Sequence, residues 1–206
     1  IPSFESIAKE KNIDYFRENE NIYVNPAWNK IFELVQTKFV TLLNNDCFII
    51  SNNYFNEIIN HMIENEIVLS SCKTFNIKKI NYNCLKLYEY LYNLMNYKKI
   101  KFTSRSRRQG WLITLDLDIY KTINYKIPDY IKIWYGDDWI WSQIIKNKFK
   151  IAVYKNRYSL HLRNKTLNNK KIQLILDNDK KIMQKRGKDW VEKSIYIKSR
   201  LFNRYV

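Results

Sequence analysis

Apolar residues return at helical spacing in several stretches of the chain and form short continuous runs in others, and the two kinds alternate. After Asn25-Pro26, residues Ala27, Ile31, Leu34 and Val35 recur every three or four positions. That spacing predicts a helix with Asn25 as N-cap, Pro26 in its first position and one buried face. Phe39 to Leu43 is a short apolar run closed by Asn44-Asn45-Asp46, as expected of an interior strand with Asp46 at its carboxyl end. Tyr54, Phe55, Ile58, Ile59, Met62 and Ile63 predict an amphipathic helix, and Ile67 to Ser71 the next strand. Leu87, Leu91, Leu94 and Met95 mark a further helix, followed by Lys98 to Arg108, which has six cations, no acids and no period and reads as a loop. Gly110 to Leu117 is strand-like, Asp118 is placed to cap a short helix through Ile123, and an irregular stretch from Ile127 to Tyr135 leads to Gly136-Asp137-Asp138. Trp139, Ile140, Ile144 and Ile145 are helical in spacing, Ile151 to Tyr154 reads as a strand, and Ile172 to Gln184 as a basic helix. This alternation predicts an α/β fold whose sheet is mostly parallel and flanked by helices, with ligands beyond the strands' carboxyl ends.

Composition narrows the class. A chain of 206 residues with 46% hydrophobic positions can bury one substantial core, and 3 Gly and 3 Pro beside 16% aromatics exclude a collagen-like or low-complexity polymer. Cys47, Cys72 and Cys84 are odd in number and lack metal-ligand spacing, which fits small core residues in a reducing compartment. No apolar run approaches the roughly 18 residues of a membrane span, so the chain is expected to be soluble and cytoplasmic. Net charge is +16, but unevenly placed. Residues 1–145 carry 18 Lys+Arg against 16 Asp+Glu, whereas residues 146–206 carry 18 against 4. A basic carboxy-terminal tail favours contact with an acidic surface or a polyanion.

Three segments carry candidate chemistry. Asp46, in Asn44-Asn45-Asp46, offers a strand-end carboxylate of the kind that hard divalent cations prefer, although such a triplet is also ordinary turn chemistry. Asp137 and Asp138, in Trp134-Tyr-Gly-Asp-Asp-Trp139, are adjacent acids that oppose each other's ionisation unless a cation or a proton-transfer task uses them; the plain alternative is a helix N-terminus complemented by acids. Tyr-Gly-Asp-Asp also matches the metal-binding hairpin of viral RNA polymerases. The helical spacing that follows it, and the shortness of the chain, argue against that reading. His161 is a lone histidine after a strand, open to metal ligation or to a purely structural place. His61 lies within an amphipathic pattern and is assigned no function.

In order along the chain, these pieces resemble the family 2 glycosyltransferases of GT-A fold, particularly short members encoded by phages and large DNA viruses. Asn21 to Asn29 resembles the stretch that opens a helix beneath the donor site, and Phe39 to Asp46 the strand ending in the metal-binding motif, with Asn44 in place of the first acid. Gly110 to Tyr120 is similar to the strand and short helix flanking the acceptor, Trp134 to Asp138 to the element with the catalytic base, and Asp179 to Gly187 to a tail of some viral members. The family's opening strand has no counterpart before Ile22. The resemblance implies a GT-A-like domain over residues 1–165, short of its first strand, and a basic helical extension over 166–206 packed on it. It implies a metal-dependent, inverting transfer of a hexosyl group from a nucleotide-sugar to an acceptor hydroxyl on a glycan, a protein or another molecule. Asp46 and His161 would hold Mn2+ or Mg2+; Asn29, Asn44, Asn45, Arg105, Arg107 and Arg108 would contact the donor; Asp138 would be the base with Asp137 in support; and Trp111, Trp134 and Trp139 would form acceptor platforms. A viral member would act in the host cytoplasm or in association with the virion. Two other classes stay open: a catalytically degenerate GT-A scaffold, and a basic nucleic-acid-binding or assembly protein.

Overall fold

The computed structural model describes residues 3–50, 53–77, 82–95, 100–103, 110–162 and 170–190. Its elements run α1 (Phe4–Glu10), α2 (Val24–Leu34), β1 (Phe39–Leu43), β2 (Cys47–Ile49), α3 (Tyr54–Asn65), β3 (Ile67–Ile77), α4 (Tyr82–Met95), β4 (Phe102–Thr103), β5 (Leu112–Asp116), α5 (Leu117–Lys121), α6 (Gly136–Lys146), β6 (Lys150–Leu162) and α7 (Lys170–Trp190). The helical periods and the two short apolar strands thus take the structure expected of them. Two caps move: Tyr23, not Asn25, precedes α2, and Asp116, not Asp118, caps α5 by accepting the Ile119 N–H at 3.2 Å.

The expectation of a mostly parallel, Rossmann-like sheet is corrected. The strands form one mixed sheet in the order β1-β5-β3-β6-β2, with β4 also on β6. Of its pairings only β3 with β6 is parallel; β1/β5, β3/β5, β2/β6 and β4/β6 are antiparallel. The physical reason lies in connectivity: helix and strand do not alternate throughout, since β1 passes through Asn44-Asn45-Asp46 straight into β2 without the crossover helix that a doubly wound parallel sheet needs after each strand. That turn also curls the sheet. β1 and β2 stand at opposite ends of the strand order, about 19 Å apart in a flat sheet at ~4.8 Å per strand, while the chain from Leu43 to Cys47 reaches at most about 15 Å. The sheet therefore bends toward closure, which distinguishes it from the open sheet of a GT-A domain. The bend falls where β3 and β6 change register between Cys72 and Lys73, facing Tyr154 and Tyr158.

The main core lies where α2, α5, α6 and α7 meet the β1/β5/β3 half of the sheet. Phe32, Leu69, Ile113, Leu115, Tyr120, Ile140, Trp141 and Ile144 are buried there, with Met183 of α7 in the same cluster. A second cluster packs α3, through Tyr54, Ile58 and Met62, against Cys72, Ala152 and Tyr154. Among the described residues, no helix is long and apolar enough to cross a membrane.

His61 of α3 is placed by this second layer. Its Nδ1 lies 3.2 Å from the Tyr154 hydroxyl and its ring meets Phe102 and Tyr154 edge-on. Burial holds its pKa below the usual 6.5, with Arg157 adding to the effect and Glu64 opposing it. A depressed folded value means that the contribution of His61 is present in full above pH 6.5 and is lost as the pH falls through the folded value. Melting temperatures measured from pH 7.5 to pH 5 are expected to fall less steeply below about pH 6.5 in His61→Gln than in the parent chain; equal slopes would contradict this.

Candidate functional site

The turn between β1 and β2 is fixed at three points by the backbone. The Asn44 N–H donates to the Trp111 carbonyl at 3.0 Å, Cys47 N–H to the Asn44 carbonyl at 3.0 Å, and Leu162 N–H to the Asp46 carbonyl at 2.9 Å. Register then does the rest. Cys47 faces His161 across β2/β6, and Asn76 faces His161 across β3/β6. As a result His161 Nε2 lies 3.4 Å from Asp46 Oδ1, and its Nδ1 lies 3.2 Å from Asn76 Oδ1. Trp111 covers the imidazole with its ring, centroids 4.5 Å apart and planes 14° from parallel.

On the other side of Trp111 in the chain is Gly110. A Cβ there would stand 2.9 Å from the Asp137 carboxyl carbon and from its Oδ2, so the Asp137 side chain lies directly over this glycine. Asp137 and Asp138 open α6, which begins after Tyr135 in a left-handed conformation (φ 65°). This is a helix start and not a hairpin turn, so the polymerase-like placement of the acid pair does not occur. Asp46, Trp111, Asp137 and His161, spread over 115 residues from Asp46 to His161, thus converge on the strip Gly110-Trp111.

The other residues singled out by sequence are placed differently. Asn44 joins the strip through its backbone, and Asn45 is exposed on the turn. Trp134 is exposed and edge-on to Tyr135, whereas Trp139 is buried in the main core. Asn29 is buried and its amide is occupied twice, donating to the Ile127 carbonyl and accepting the Ile127 N–H, each at 2.8 Å. Arg105, Arg107 and Arg108 lie outside the described residues. Asn76 escapes a reading of the sequence, because its place beside His161 follows from a parallel register that no local pattern signals.

The segment before α6 is held from two sides. Asn25 of α2 donates its backbone N–H to the Lys132 carbonyl at 2.9 Å and its side-chain amide to the Trp134 carbonyl at 3.0 Å. From α7, the fully buried Asp179 carboxylate accepts the N–H groups of Lys132 (3.0 Å), Ile133 (2.8 Å) and Trp134 (3.0 Å).

No family model and no curated protein matches the chain. With that, and with the curled antiparallel sheet above, the resemblance to family 2 glycosyltransferases is not upheld. The expected Mn2+ or Mg2+ is corrected as well: among the described residues no group of three or more His, Cys, Asp or Glu is arranged to hold a metal ion. Asp46 Oδ1 and His161 Nε2 face each other at 3.4 Å and make a pair of groups at most, whereas a hard divalent cation asks for about six oxygen ligands. The metal-dependent hexosyltransfer, and the enzyme class it stood for, lose their support with the metal site and the fold.

Cys47, next to Asp46, adds no nucleophile. Burial pushes its thiol up to about 11, and burial also raises Cys72. In the folded chain at pH 8, both are expected to resist iodoacetamide that labels them fully in urea, as peptide mass spectrometry would read; rapid labelling of Cys47 in the native state would contradict its burial.

Proposed function

We propose that the strip formed by Gly110 and Trp111 with Asp46, Asp137 and His161 binds a neutral, polyhydroxylated ligand of the carbohydrate class. The observation that carries the reading is the convergence of two carboxylates, Asp46 and Asp137, on the two sides of one aromatic strip. Carboxylate oxygens offer several acceptor sites each, so a ligand rich in hydroxyl donors complements them and an anionic ligand does not. Aromatic rings supply flat apolar surface for the C–H face of a sugar ring, and the exposed Trp134 three residues before Asp137 is the ring available for it. Trp111 has one face on His161 and acts by holding that imidazole against Asp46. Asp138, next to Asp137, and Asn44 and Asn45, next to Asp46, would supply further polar contacts. The reading is one of binding and includes no sugar transfer.

Saturation-transfer NMR against maltose, cellobiose, lactose and chitobiose tests it. Transfer to ring protons of at least one disaccharide is expected, and its loss in Asp46→Ala and in Asp137→Ala. Absence of transfer from all four, or undiminished transfer in both variants, would overturn the reading.

A separate contact is supported by the charge of residues 146–206, 18 cations against 4 acids. We propose that this segment engages a polyanion. Retention on heparin is expected to fall steeply with added salt, and to be unchanged in Asp46→Ala.

A further inference from the structure

We infer that Asp179 is a positioning residue for Asp137 on the Gly110-Trp111 strip, and that α7 is thereby a working part of the site. Three successive backbone N–H groups, of Lys132, Ile133 and Trp134, point at one carboxylate that is buried completely. Three successive N–H groups aimed at one point bring like partial charges together, a concentration of positive potential that an anion offsets. Asp179 is that anion. These three donors end one residue before Tyr135, whose left-handed backbone turns the chain into α6, and Asp137 follows two residues later. From the opposite side Asn25 holds the Lys132 and Trp134 carbonyls. The start of α6 therefore has little freedom, and where it sits decides where the Asp137 carboxylate lies over Gly110. Asp179 belongs to an otherwise apolar stripe of α7, with Leu176 three residues before it and Met183 four after, both buried. A carboxylate in that stripe is costly to bury unless it has such a partner.

The functional half of this inference rests on the strip being the ligand site; the positioning half does not. Asp179→Asn keeps the shape but turns an amide NH2 toward donors. In 15N–1H spectra without any ligand, the resonances of Lys132 to Trp134, Asp137, Asp138 and Gly110 are expected to move together. In Leu176→Ala, which loosens α7 without touching the three hydrogen bonds to Asp179, those of Asp137 and Gly110 are expected to stay in place. With whichever of the four disaccharides binds the parent chain, Asp179→Asn is expected to raise the Kd about tenfold, the scale of losing a hydrogen bond to a charged group. Should Asp179→Asn fail to fold, replacing Ile133 with its α-hydroxy acid analogue deletes a single donor and is expected to give the same pattern of shifts at smaller amplitude. Asp137 and Gly110 resonances at their parental positions in these variants would reduce Asp179 to an anchor of α7 and overturn the inference. If the shifts move and no disaccharide binds, positioning stands and the carbohydrate reading fails.

Discussion

Replacing Gly136 with Ala is expected to lower stability by about 3 kcal/mol, although helix propensity alone would favour Ala by about 1 kcal/mol. Gly136 opens α6 and lies against the clamp residue of α2. A Cβ there would stand 2.1 Å from Asn25 Oδ1, 2.8 Å from Asn25 Cγ and 3.3 Å from a ring carbon of Trp28. The first two are fixed groups, because Asn25 is buried and bonded to the Trp134 carbonyl. Either α6 shifts or that hydrogen bond breaks, and a buried polar group left unmade costs ~1–3 kcal/mol. For a chain of this size the loss corresponds to a fall of roughly 10 °C in Tm. The companion variant Asn25→Ala removes the obstacle, so the double variant is expected to be about 2 kcal/mol more stable than the sum of the two single losses. Additive losses in urea unfolding would show that the two residues do not meet.

Trp111→Ala carries the second large effect, because this side chain serves packing and site together. It packs against the cluster around Tyr54, Met62, Cys72 and Tyr154 and covers the His161 ring. Its removal is expected to cost about 3 kcal/mol, the low end for a large aromatic since the residue is only partly buried. It also frees His161 from its place against Asp46, so saccharide binding is expected to disappear in a protein that still folds at low temperature. Trp111→Phe restores most of the packing and a stacking ring, and is expected to recover binding within a few-fold of the parent. Binding unaffected in the Ala variant would detach the strip from the ligand.

Where local pattern carries the information, the sequence is a good guide. The spacing of Tyr54, Ile58 and Met62 marks α3, and Phe39 to Leu43 marks β1, because each depends on a face that a single element buries. Strand direction does not leave such a trace. Reading the alternation of helix and strand as parallel misses β2, whose three residues pair with Ser159, Leu160 and His161 more than 100 positions away, and it stops β6 at Tyr154 although the strand continues to Leu162. The family resemblance rests on short motifs in order and brings with it a sheet and a metal that the chain does not support.

The site is legible in part. Asp46, Asp137 and His161 stand out as polar residues at element ends, and Trp111 as an aromatic beside a glycine. Their grouping comes from the register of three strand pairs. Asn25 and Asp179 carry a weaker signal that is readable in principle: each is a polar residue on the inward stripe of an amphipathic helix, where burial demands a partner. Asn25 reads as a cap because Pro26 follows it, and in the local sequence of α7 only the spacing to Leu176 and Met183 separates Asp179 from the exposed Asp177.

Titrating 15N-labelled protein with a disaccharide that gives saturation transfer tests the central claim most directly. Resonances of Asn44 to Asp46, the Trp111 indole, Gly110, Asp137, Asp138 and His161 are expected to shift along one binding curve with a single Kd. Shifts confined to one side of the strip, or to the basic surface of α7, would show that Asp46 and Asp137 do not serve a common ligand.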